Sequence, residues 1–91
     1  MGLKATTVCL GYQQITSLSA STGLTVPSGA TLAVIVPEAY PVRWRDDDTA
    51  PTGSVGMPLA IGTTLSYDGD LSRIRFIEQA ASAKLNVSYY A

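Results

Sequence analysis

The side chains in this chain that could do chemistry are few, and most are carboxylates: Glu38, Asp46, Asp47, Asp48, Asp68, Asp70 and Glu78. Two such groups facing each other could cleave a glycosidic bond. However, Asp68 and Asp70 flank Gly69, where Asp is the residue that tight turns select for backbone reasons. The run Asp46-Asp47-Asp48 invites a calcium reading. An EF-hand loop needs a bidentate Glu at its twelfth position, and counting from Asp46 or Asp47 reaches Met57 or Pro58 instead. A looser calcium site stays open. The chain has no histidine, which removes most metal sites together with Ser-His-Asp and Cys-His nucleophilic catalysis. Cys9 is the one cysteine; alone it makes neither a zinc site nor an internal disulfide. Between Val8 and Leu10 it reads as a small core hydrophobe. The glycines form no phosphate cradle, because no helix follows them. The expectation is a protein with no catalytic residue, no cofactor and no metal.

What remains is recognition. The densest cluster is Tyr40-Pro41-Val42-Arg43-Trp44-Arg45-Asp46-Asp47-Asp48. Aromatic and Arg side chains dominate interface hot spots, and Arg forks pair bidentately with carboxylates. Tyr40, Arg43, Trp44, Arg45, Asp46, Asp47 and Asp48 are therefore the candidate protein interface. The competing reading is structural: Trp44 in the core, with Arg–Asp pairs on the rim contributing little each. A third reading stacks sugars on Trp44, Tyr40 and Tyr12, and it requires an exposed Trp44.

The elements that must position this cluster have period two throughout. Residues 31 to 36 put Leu32, Val34 and Val36 on one face and Ala33 and Ile35 on the other, as in a strand covered twice. Pro37 should end or turn it. Residues 40 to 45 send Val42 and Trp44 inward and Arg43 and Arg45 outward. Residues 63 to 67 point Leu65 and Tyr67 inward; Asp68-Gly69 is the best hairpin turn. Ile74 and Phe76 then face in, and Leu85, Val87 and Tyr89 share a face of a final strand over 84 to 90. Weaker strand signals cover 5 to 10, 13 to 18 and 24 to 26. The stretch from Glu78 to Ala83 is too short for a lone helix. Gly and Pro punctuate these runs at regular intervals. The expected fold is all-β: a single antiparallel β-sandwich or jelly-roll-like barrel over residues 1–91.

Composition narrows the partners. Apolar residues make up 46% of the 91, but charged residues only 14%, well below the roughly 25% of a typical domain. Charge-poor surface is the mark of interface cores. Six basic and seven acidic residues leave a net charge of −1, with no general pull toward nucleic acid or anionic membrane. No run approaches a membrane span. Thr6, Thr7, Gly11, Gln13 and Gln14 interrupt any signal-peptide core after Lys4. Met1-Gly2 with Thr6 fits a loose myristoylation pattern, and Asn86-Val87-Ser88 a glycosylation pattern inside a strand.

From Leu24 onward an ordered series of motifs carries a resemblance. It runs from Val42-Arg43-Trp44-Arg45-Asp46-Asp47-Asp48-Thr49-Ala50-Pro51-Thr52 through Gly56-Met57-Pro58-Leu59 and Tyr67-Asp68-Gly69-Asp70-Leu71. It ends with Ile74-Arg75-Phe76-Ile77 and the closing Ala83-Lys84-Leu85-Asn86-Val87-Ser88-Tyr89-Tyr90. The series resembles a family of small virion-associated proteins of tailed bacteriophages. The resemblance implies a β-sandwich present in many copies, made in the bacterial cytoplasm and fixed to the capsid exterior as decoration, or cement. The implied partners are the major capsid protein and other copies of the chain, as dimers or trimers. A head–tail connector, tail or fibre component is the alternative within that context. Where this chain has Asp48, the family often has Gly after Arg-Asp-Asp. If that position needs a left-handed backbone, Asp tolerates it better than most residues.

Overall fold

The structure, a computed structural model, describes residues 7–91. Eight strands follow one another: β1 (Cys9–Ile15), β2 (Thr22–Gly23), β3 (Leu32–Glu38), β4 (Val42–Arg45), β5 (Met57–Leu59), β6 (Leu65–Tyr67), β7 (Arg75–Glu78) and β8 (Lys84–Tyr90). They form two four-stranded antiparallel sheets, ordered β1-β8-β3-β6 and β2-β7-β4-β5. The pairs β1·β8, β2·β7, β3·β6 and β4·β5 are nested, as in one long hairpin. Rolling that hairpin adds the pairs β3·β8 and β4·β7. This is the jelly-roll arrangement of a β-sandwich.

The alternation read from the sequence decides which face is inside. Ile35, Val42, Ile74, Phe76, Leu85 and Val87 are fully buried, and Tyr89 nearly so, between the sheets. Burial of each such side chain contributes roughly 1.5–3 kcal/mol. Leu18, past the end of β1, is also fully buried, and its carbonyl accepts the Glu78 N–H at 2.9 Å.

Several sequence expectations change. In β3 the core residues are Ala33, Ile35 and Pro37, while Val34 and Val36 face outward, half-buried. Pro37 does not end the strand. Its carbonyl faces the Gly62 N–H at 3.0 Å, and in an antiparallel strand the nitrogen points the same way. The neighbour on that side, β6, pairs only Ala33 to Ile35. No ladder bond is therefore lost, and the ring is buried. The strand then leaves its sheet through a γ-turn at Ala39 (φ 74°), closed by Tyr40 N–H to Glu38 O at 2.9 Å.

Asp68-Gly69 is not a hairpin turn, because β6 and β7 belong to different sheets. Only a crossing segment lies between them, with Leu71 buried on the way. Cys9 is exposed rather than in the core: the irregular register between Cys9 and Gly11 shifts its side chain out beside Ser88. The strand expected over residues 5 to 10 joins Gln13 to Ile15 in one element, β1, and Ala5 and Thr6 lie outside the described residues. The myristoylation pattern lies outside them as well. Residues 24 to 26 are not a strand; β2 is Thr22–Gly23.

Candidate functional site

The predicted cluster divides on folding. Strand β4 is pleated against β7, so Val42 and Trp44 turn inward with Phe76, while Arg43 and Arg45 face out. Trp44 is half-buried, packed on the core, with its ring edge-on to Tyr67 at 6.1 Å between centroids. It is neither a sealed core residue nor an open platform for stacking sugars.

Arg43 does not present a free guanidinium. Its Nε donates to Gly53 O at 3.3 Å and its Nη1 to Gly56 O at 2.9 Å. It thereby holds the long β4–β5 loop against the strand. Gly56 belongs to that clasp: at φ 143°, a Cβ there would sit 3.1–3.2 Å from Pro51, Arg43 and Trp44 atoms.

Arg45 stands in register with Arg75, a like-charge pair that destabilises a sheet. Asp47 relieves it by taking the Arg45 guanidinium in a two-bond fork, with Nε to Oδ1 at 2.9 Å. That hydrogen bond, more than the charge attraction, holds the Asp47 carboxyl below the usual carboxylate range. Asp48 follows at φ 68°, a left-handed backbone that Asp tolerates better than most residues. Asp46 accepts the Tyr67 hydroxyl at 2.7 Å. Desolvation first, and then the Asp46 carboxylate, push the Tyr67 phenol up to about 12. Tyr40 is not brought to the group: it sits exposed before β4, at the strand's other end.

Arg45, Asp46 and Asp47 form one side of an open pocket of about 260 Å³ whose other side is Val55, Gly56 and Met57. Val55 and Met57 are each more than half exposed. The pocket thus joins apolar surface to carboxylates, a pairing suited to a protein contact. Among the described residues no three of Asp, Glu or Cys converge as metal ligands, and Asp46 and Asp47 are turned to different partners, Tyr67 and Arg45.

A second surface escaped the sequence reading. The outward residues of the first sheet include Tyr12, Gln14, Val34, Val36, Asn86, Ser88 and Tyr90. They bond across strands. Tyr12 Oη donates to Asn86 Oδ1 at 2.6 Å, Gln14 Nε2 to the same oxygen at 3.0 Å, and Asn86 Nδ2 to Glu38 Oε1 at 3.0 Å. Among the described residues, Glu38 and Lys84 are the charged side chains on this face, in register at one end of it. The others lie on β4, β7 and the loops beside them. The signal was present in the outward positions of the last strand, Asn86, Ser88 and Tyr90, which carry no charge.

No protein-family model matches this chain, and comparison with curated proteins and with solved structures finds no significant similarity.

Proposed function

We propose that this chain is a structural virion protein of a tailed phage, a decoration or cement protein that binds the head shell and stabilises it. The observation that supports the reading is the segregation of charge on the two-sheet sandwich. One sheet offers an almost charge-free face on which Tyr12, Gln14, Asn86 and Ser88 bond to neighbours on the same face. The end built by β4 and the β4–β5 loop offers a mixed apolar and ionic pocket. A component that ties copies of a shell together needs two distinct contact surfaces of this kind. The motif series from Leu24 onward, which resembles virion-associated proteins, points the same way. Many weak identical contacts add up on a closed shell through multivalency.

The test mixes purified protein with emptied, expanded heads and follows co-sedimentation and head melting. Binding that raises the melting temperature is the expected result. Heads that take up no protein, together with normal particles after deletion of the gene, rule the reading out.

A further inference from the structure

We propose that the outer face of the β1-β8-β3-β6 sheet is a self-association surface, on which two copies pack face to face about a two-fold axis. The axis runs parallel to the strands, midway between β8 and β3. These are the two central strands, so the rotation lays the four-stranded face over its own copy, with β3 of one over β8 of the other.

Charge placement selects a second copy as the occupant. Glu38 and Lys84 face each other in register, yet the one ion pair among the described residues is Arg45–Asp47. Within one copy they stand on adjacent strands. The two-fold places Glu38 of each copy over Lys84 of the other, giving two reciprocal pairs at one end. An isologous contact demands this kind of self-complementarity. Between these pairs and the opposite end, nothing charged would be desolvated. The amide of Asn86 is already bonded on both its atoms, and the Ser88 hydroxyl donates to Tyr90 Oη at 3.3 Å. Covering them therefore leaves neither the Asn86 amide nor the Ser88 hydroxyl without a partner. Val34 and Val36 add apolar area near the middle.

A face seven residues long and four strands wide spans at most about 24 Å by 19 Å. That lies toward the small end of specific interfaces, so the dimer is weak and depends on concentration.

Sedimentation velocity from micromolar to millimolar protein is the test. It compares the native chain with Glu38→Lys, with Lys84→Glu and with the double exchange, each checked for a native melting curve. The native chain should form dimers. Each single reversal sets like charges against each other twice and should weaken the dimer by roughly tenfold or more. The double exchange should restore it. A chain that stays monomeric at every concentration overturns the proposal. So does a trimer, which a two-fold cannot give, or single reversals that dimerise like the native chain, or a double exchange that fails to rescue. The contact does not depend on the phage reading. A dimer that ignores heads removes only that reading, and a strict monomer that binds heads removes only this one.

Discussion

Gly69 shows how a single position can be chosen for a reason its neighbours conceal. Beside Asp68 it reads as a turn glycine, yet it is not among the residues with positive φ. A Cβ built on it would instead collide with the hydroxyl and ring of Tyr67. The missing side chain makes room for the phenol to reach Asp46. Gly69→Ala should therefore destabilise the domain by about 1–3 kcal/mol, the range for overpacking. In the Tyr67→Ala background, which removes the ring, the same change should cost much less. Denaturant midpoints of the four proteins check this; equal losses in both backgrounds would refute it. Ala39 and Asp48 are the opposite case. Both hold left-handed backbone with a side chain present, and for Asp48 the short polar side chain eases the strain.

At the scale of the element, β4 assigns different work to two arginines that look alike in sequence. Both alternate outward, as their spacing predicts. Arg43 binds two carbonyls of the following loop, whereas Arg45 binds an exposed carboxylate two residues on. Arg43→Ala should cost about 1–2 kcal/mol, as for lost charged hydrogen bonds in a half-buried setting. It should also raise amide exchange over residues 52 to 56. Arg45→Ala should leave folding nearly intact, because exposed pairs contribute little, while changing the pocket that Asp47 and Met57 share. Melting curves and hydrogen exchange on the two variants separate these effects; a larger loss of stability in the Arg45 variant would reverse the assignment. Pro37 belongs to the same scale. A ladder can carry a proline where its neighbour has already ended, a fact about β6 that no local reading of β3 contains.

At the scale of the molecule, two tyrosines of the first sheet fasten it to the chain beyond. Tyr89, almost fully buried, donates to Gln13 Oε1 at 2.7 Å, and the Gln13 amide also clasps Thr25. On β6, an edge strand of the same sheet, Tyr67 reaches Asp46 in the loop after β4. Burial pushes both phenols up to about 12, with Asp46 adding to the effect at Tyr67. The folded state thus favours the neutral phenol more than the unfolded chain does. The stability this contributes is whole below pH 10, the ordinary tyrosine value, and is lost as pH rises from there toward 12. Denaturant midpoints should fall over that interval. Tyr89→Phe and Tyr67→Phe should each flatten the fall and remove a late component from the absorbance titration of tyrosinate. An unchanged slope in both variants would show that neither phenol governs it.

The period-two pattern by itself determined the class of fold and most of the core. Val42, Ile74, Phe76, Leu85, Val87 and Tyr89 are inside because alternation with polar neighbours allows a strand only one buried face. Composition likewise determined that the surface would be poor in charge. Tertiary structure alone decided the rest. Whether β6 turns back on β7 or crosses to the other sheet depends on which edges are already taken. Whether Cys9 points in or out depends on a register shift against β8. The face whose charges are confined to Glu38 and Lys84 at one end exists only because β1, β3 and β8, remote from one another in the chain, lie side by side with their outward residues aligned. Position in a sheet is a long-range property, set by pairing partners and not by the residues of the strand itself.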